Sequence, residues 1–471
     1  MLAARGRTGT RGVLLLLALG SLGCRPEAHA SQESRTWHVR VDAAAGGLGT
    51  AAHPWTRIGD ALNRAEPGDT VVVGPGTYAE RLHTVRGGTP ARPILVRAAD
   101  AARPPMVTAL GRVATLAHPH IHVDGLILDG QYGEDDTVRV ADEANSLVLR
   151  RVEVRRSGRD CVDMAGPSDV RFDAVRIHHC LDARGGRRDA HGIVAGAVRR
   201  LAIRHAEIHT FSGDGIQVDP GRAAPGWSDV TIESSRIWLA PLPEPANGFA
   251  AGTVPGENAL DTKTMARGPR AALYLRDVEA WGFEGGLIRN MAAFNLKERV
   301  DVTIDGATVH HSEIAFRVRG AGDAGASVDL QNIVLHHVGT GIRYEDDVAR
   351  LRVRHMTAGR SVGGLFRRVA TRDTVPVVDH LLFLGPSLPP DVRGRGLAVA
   401  SSAFLAAEDD DYRLVGGSPA VDAARGPVVA SRDRRGLSRP QGAAPDLGAH
   451  EWCPDCPSEE TQRPAAGTRR P

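Results

Sequence analysis

The 471 residues carry 58 Lys and Arg against 56 Asp and Glu, a net charge of +2, and only 4% are aromatic. So even a balance points to no particular partner, and so few aromatics leave no base-stacking platform for nucleic acid. The length admits two or three domains, or one periodic solenoid.

The first residues read as an export signal rather than fold. Arg5, Arg7 and Arg11 make a basic start, residues 13–19 a short apolar core, and small residues follow. That core is too short to span a bilayer, and no longer apolar run follows it. Two cleavage readings stand side by side. One is a lipoprotein signal with Cys24 lipidated after Ser21-Leu22-Gly23, where Ser21 replaces the usual leucine; the other is cleavage after Ala28-His29-Ala30. Residues 1–24 are taken as the signal and 25–36 as a linker. The protein is expected outside the cytoplasm, as an outer-membrane or cell-surface lipoprotein or free in the periplasm or medium. Any membrane contact would run through Cys24. Exported thiols tend to pair. Cys161 and Cys180 lie about one repeat apart and predict a disulfide. Cys453 and Cys456 predict another, because their C-x-x-C has no second pair or histidine cluster of the kind zinc requires.

From residue 37 a repeat takes over: a small residue, then apolar, variable, apolar, variable. It recurs at Cys161-Val162-Asp163-Met164, Gly192-Ile193-Val194-Ala195, Gly215-Ile216-Gln217-Val218, Ala259-Leu260-Asp261-Thr262, Ala293-Phe294-Asn295-Leu296, Ala315-Phe316-Arg317-Val318 and Gly341-Ile342-Arg343-Tyr344. The first apolar residues are spaced by 31, 23, 44, 34, 22 and 26. The short spacings predict one coil, the long ones a coil with added loop. Between them, residues 198–205, 229–232, 300–304 and 328–335 alternate apolar and polar as half-buried strands do. No helical period persists, and a propeller would need a longer period and more aromatics. The predicted fold is all-β: a single-stranded right-handed parallel β-helix over 37–385, a closing segment over 386–452 and a disordered tail over 453–471.

The ends carry a family resemblance. His53-Pro54-Trp55, the helical Ile58-Gly59-Asp60-Ala61-Leu62, Pro67-Gly68-Asp69-Thr70 and Gly76-Thr77-Tyr78 resemble the opening of bacterial pectate-lyase-like β-helix proteins. Asp411-Tyr412-Arg413-Leu414, Ser418-Pro419-Ala420 and Asp446-Leu447-Gly448-Ala449-His450-Glu451 resemble their closing segment. The resemblance implies a short helix capping the first coil, since an open solenoid end exposes core and strand edges. It speaks to fold more than to activity.

Alternate residues of a strand face the same way, so the repeats align into two outward columns. The first reads Asp163, Val194, Gln217, Asp261, Asn295, Arg317, Arg343; the second reads Ala165, Gly196, Asp219, Lys263, Lys297, Arg319, Glu345. Of 58 basic residues only Lys263 and Lys297 are lysine, and both fall in one column on successive repeats. Arginine suffices for binding a carboxylate, but only lysine readily releases and takes a proton. Lys297, stacked between Lys263 and Arg319, is the expected general base, because neighbouring like charges lower a lysine pKa.

The segment from Glu257 to Lys263, and Lys297 followed by Arg317 and Arg319, resemble the chondroitinase B and alginate lyase family. The resemblance implies β-elimination on a uronic-acid polysaccharide, with catalytic Lys297, Lys263, Arg319 and Arg317. It also implies calcium, for which Glu257, Asp261 and Asp219 are the available oxygen ligands. The sequence departs from the family pattern at Ala259, where a second acid would stand. Asn295, Gln217, Arg343 and Glu345 are expected to bind substrate. The alternatives are a non-catalytic surface protein that binds polysaccharide, and a hydrolase or epimerase on the same scaffold. Paired carboxylates for hydrolysis would have to converge on one face; Asp163, Asp219 and Asp261 lie on that face but are not evenly adjacent. Asp182, Asp189 and His191, joined by His205 and His209, form a second acid/base candidate. His310 and His311 read as structural, one of them pointing inward or towards a neighbouring sheet. No phosphate loop, nucleophile elbow or HExxH is present. The chain is expected to be a monomer.

Overall fold

The computed structural model describes residues 33–456, except 184–187, 222–225, 321–324, 346, 370–375, 391, 393 and 427–429. The expected export signal with Cys24, and all of the tail beyond Cys456, lie outside the described residues. Among those described, no helix is long and apolar enough to cross a membrane.

The chain winds into a parallel β-solenoid of about 11 turns. Each turn contributes to three strand stacks. The first stack starts with Thr36–Val39, Thr70–Val73 and Ile94–Ala98, the second with Thr77–Ala79 and Met106–Thr108, the third with Leu82–His83, Ala114–Leu116 and Val138–Val140. Successive coils pair in parallel and in register. Val162, Ile193, Ile216, Leu260, Phe294, Phe316 and Ile342 follow one another in the third stack. They fill a single core running the length of the solenoid.

Corners are made by single left-handed residues. Between the first and second stacks they are Ala174, His205, Ser234, Asp277, Gly306, Asn332 and His355. Between the second and third they include Arg156, His179, Thr210, Gly282, His311 and His337. One such residue bends the chain without interrupting its pairing, so Val300–Val318 passes through all three stacks as one 19-residue strand. The small residue heading each repeat has a packing reason. A Cβ on Gly215 would meet Ile237 Cγ2 at 2.7 Å and the Ala259 carbonyl at 2.8 Å, closer than carbon atoms pack.

The long spacing of 44 has its cause in residues 239–256, inserted between the second and third stacks. Leu242 and Phe249 of this loop pack on Leu181. The Cys161–Cys180 disulfide forms with Cα atoms 5.5 Å apart, both residues fully buried where the second stack turns into the third. Cys453–Cys456 forms too.

At the N-terminal end, helix Ile58–Arg64 places Ile58, Ala61 and Leu62 in the core, and buried Glu80 accepts the Ile58 and Gly59 amides at 2.8 and 3.1 Å. Parallel stacking continues beyond residue 385, where the closing segment was expected to begin. Gly394–Val399 pairs with Val377–Leu384, because the buried Leu381 and Leu382 still need cover. The closing segment then folds back along the outside of the coils. A buried Arg439–Glu451 ion pair at 2.7 Å and an Arg439 bond to Asn332 at 3.1 Å anchor it there.

Candidate functional site

Both predicted columns of the third stack are present. Asp163, Val194, Gln217, Asp261, Asn295, Arg317 and Arg343 are register partners in that order. Ala165, Gly196 and Asp219 open the second column, and the backbone bonds from Lys263 to Val218, Arg319 to Leu296 and Glu345 to Val318 extend it. Thr262 locks Lys297 beside Lys263: its hydroxyl accepts the Lys297 amide at 2.9 Å and donates to the Lys297 carbonyl at 3.1 Å.

The side chains do not run straight up their columns. Lys297 was expected to stand between like charges, but its Nζ crosses to Asp261 Oδ1 at 2.9 Å. Lys263 Nζ lies 4.0 Å from Asp261 Oδ2 and donates to Gln217 Oε1 at 2.5 Å. Asn295 Nδ2 donates to Asp261 Oδ1 at 2.7 Å. Stacked cations repel across a coil spacing of ~4.8 Å; a diagonal reach gives each ammonium an acceptor and gives buried Asp261 the partners a charge needs. The next coils form a second knot. Glu345, expected to bind substrate, is the counter-ion of three arginines: Arg317 at 3.1 Å, Arg319 at 2.9 Å and Arg343 at 3.4 Å. Burial alone pushes the Glu345 carboxyl up, but Arg317 and Arg319 outweigh it and leave it below its usual range. Arg343 also donates to Asn290 at 2.7 Å.

The implied calcium ligands do not converge. Asp261 is engaged by lysines and Asn295, while Asp219 accepts Gln217 at 3.2 Å and the Gly221 amide at 2.7 Å. Glu257, Asp261 and Asp219 do not bring three ligand atoms together; among the described residues only His336, His337 and Asp410 do. These carboxylates therefore do not fit a calcium cage, and no chemical step is assigned to calcium.

A polar ladder that the columns did not include runs beside them. Asp160, His191, Asp214 and Asn258 each stand two residues before the first apolar residue of their repeat. The His191 amide donates to Asp160 Oδ1 at 2.8 Å, the Asp214 amide to His191 Nδ1 at 2.8 Å, Asn258 Nδ2 to Asp214 Oδ1 at 2.8 Å, and the Ala292 amide to Asn258 Oδ1 at 3.0 Å. Because His191 Nδ1 accepts, the neutral ring carries its proton on Nε2, which lies 3.9 Å from Asp189. Burial, reinforced by Asp261, pushes the Asp214 carboxyl up to about 7. Burial, then Asp214, Asp189 and Asp261, pushes Glu257 up to about 7 as well. The shared offset of these four polar residues was readable in the sequence. The direction of their side chains was not.

Asp163, Asp189, His191, Gln217 and Asp219 line a groove of about 520 Å³. Asp189 and His191 thus join the site. Asp182 does not; it is buried and accepts the Arg188 amide at 3.0 Å. His205 faces Asp173 at 2.9 Å instead. His209 and His310 belong to an outward column of rings on the second stack, with His209 against Trp238 and His310 against Trp281. Neither His310 nor His311 enters the core, because the left-handed His311 turns the chain at that point.

No protein-family model and no curated protein matches the sequence. Among solved structures the chain is similar to pectate lyase Pel9A, at 14% identity and TM-score 0.54 over 89% of this chain and 97% of that one. It is also similar to a rhamnogalacturonan lyase, at 12% identity and TM-score 0.55 over 79% and 91%. At such identity the likeness speaks for the fold, which is that of the pectate-lyase-like β-helix proteins.

Proposed function

We propose that this chain is a carbohydrate-active protein that cleaves a uronic-acid polysaccharide by β-elimination. One observation carries the reading: the chain's only two lysines converge on Asp261, beside a polar groove, and Lys297 stands one coil from Arg317 and Arg319 of the arginine knot. Three guanidiniums against the single Glu345 leave positive charge for the substrate C5 carboxylate. Lys297 takes the C5 proton, the electron pair forms the C4–C5 double bond, the C4–O4 bond breaks, and O4 takes a proton from Glu257. A carboxyl pushed up to about 7 is partly protonated at neutral pH, as an acid catalyst must be. An ammonium accepts no proton, so turnover requires Lys297 to leave Asp261 and give its own proton to solvent before it takes the C5 proton; substrate hydroxyls would then engage Asp261. Asn295 and Gln217 orient the sugar, and no metal is assigned a step. The proposal includes an exported, monomeric chain with lipid on Cys24, a right-handed winding and the helix at Ile58–Arg64 as its cap.

The test is incubation with alginate, pectate and glycosaminoglycans, with and without calcium, reading unsaturated-uronate absorbance. Absence of signal across the panel overturns the elimination reading. Lys297→Arg should keep binding and lose turnover by more than about 100-fold; retained turnover removes Lys297 as the base. A second reading, hydrolysis, draws on Asp214 and Glu257, two carboxyls both pushed up to about 7. It would release reducing ends without unsaturated product. Binding without either product would identify a polysaccharide-binding protein.

A further inference from the structure

A histidine pair recurs at the corner between the second and third stacks: His178-His179, His310-His311 and His336-His337. The second residue of each pair is left-handed, with φ of 57°, 48° and 50°. That corner brings consecutive rings together, where a straight strand would send them to opposite faces. In the first two pairs the rings bond each other, Nδ1 to Nδ1, at 2.6 and 2.8 Å.

The third pair does not close on itself. His336 is 7% exposed, and its buried Nδ1 has no hydrogen-bond partner. That nitrogen faces Asp410 Oδ1 at 3.4 Å, and His337 Nε2 lies 3.3 Å from the same oxygen. Both distances exceed those of a charge-assisted hydrogen bond, ~2.7–2.9 Å. In the tautomer with its proton on Nε2, that nitrogen sets lone pair against lone pair at the Asp410 carboxylate unless a cation stands between them. One ligand atom from each of His336, His337 and Asp410 lies within 4.8 Å of the others. His337 also lines a surface groove of about 470 Å³, which opens the cluster to solvent.

We propose that His336, His337 and Asp410 form a binding site for a divalent transition-metal ion of the zinc class, with water completing a tetrahedron. Two imidazoles and one carboxylate are donors that zinc accepts, and a three-residue set leaves the fourth position open. Asp410 already has a cationic partner, Arg360 at 3.1 Å, and Tyr412 donates to it at 2.9 Å. The metal competes with Arg360, which keeps its second carboxylate, Glu408, at 3.0 Å. Since Asp410 belongs to the closing segment and the histidines to the solenoid, the ion would clamp one onto the other. The site is separate from the lysine cluster and does not depend on the proposed activity.

The test is equilibrium dialysis of the chelator-stripped full chain against zinc, with metal content and thermal midpoint as readouts. The wild-type chain should retain about one zinc per chain and melt higher with it. His337→Gln and Asp410→Asn should each weaken retention by more than about tenfold and abolish the thermal shift. His178→Gln/His179→Gln, at a corner without a carboxylate from the closing segment, should change neither. Far-UV circular dichroism of each stripped variant confirms that it is folded. No zinc on the wild-type chain, or equal retention by folded His337→Gln and Asp410→Asn, overturns the proposal.

Discussion

The outward faces of the second and third strand stacks share one backbone spacing and use it in opposite ways. On the second, His178, His209, Trp238, Trp281, His310 and His336 repeat a ring coil after coil, centroids 4.4 to 5.4 Å apart. On the third, the residue type changes at almost every coil. A ring ladder turns the ~4.8 Å coil spacing into a stacking distance. His209, Trp238, Trp281 and His310 each have a stacked ring on both faces, which leaves no face of theirs free for a sugar. The third stack instead holds a buried carboxylate between two ammoniums and an amide. Such an arrangement is costly unless every partner is present, and it adds nothing that a ring ladder would not add more simply. Repetition of one side-chain type marks the scaffold here; its breakdown marks the candidate site.

The sharpest way to break this comparison is Trp281→Ala. Its ring is flanked on both faces, and removal should lower stability by about 3 kcal/mol while folded protein keeps its turnover. Denaturant melts paired with activity would show this. Lost turnover at unchanged stability would make the ladder a sugar platform instead. Next, Asp261→Asn leaves two ammoniums short of a carboxylate. The expected loss is about 2 kcal/mol, reduced because both lysines are partly exposed, together with loss of turnover. Stability loss alone would reduce Asp261 to a structural ion pair.

A further effect concerns pH. The folded Asp214 carboxyl titrates near 7 against 3.8 for the free group, so between those values the folded state holds the extra proton. Stability therefore falls as pH rises from about 4 towards 7. Asp214→Asn should flatten that part of the curve in melts taken across the window, and an unchanged slope would remove Asp214 as the cause. The smallest effect belongs to the second stack. The exposed Arg236–Glu207 pair should contribute less than about 0.5 kcal/mol, so Arg236→Gln should leave both melting and turnover in place. A larger loss would show that this face is more than scaffold.

The sequence carried the architecture a long way. Gly215, Ala259 and Ala293 at the heads of their repeats, followed by Ile216, Leu260 and Phe294, marked where each third-stack strand begins. From them both outward columns could be written in their observed order. Asp214 was missed although it sits beside Gly215, because an isolated aspartate before a strand resembles any turn residue. Its meaning came only from His191 and Asn258 standing at the same offset on either side. The histidine pairs were equally opaque. His310-His311 and His336-His337 read alike as letters, and only the fold sets Asp410 against the second pair.

What the sequence by itself determined was phase: which residue follows which along a stack. Period-two alternation and a small residue at a crowded position leave one register that buries the apolar set, and a slip of one residue would expose all of it. What the tertiary structure alone decided was pairing between columns. A lysine stem is long enough to point along its own column or across to the next, so the choice depends on which carboxylate neighbouring coils supply. For Lys297 that carboxylate is Asp261, and no spacing along the chain states it.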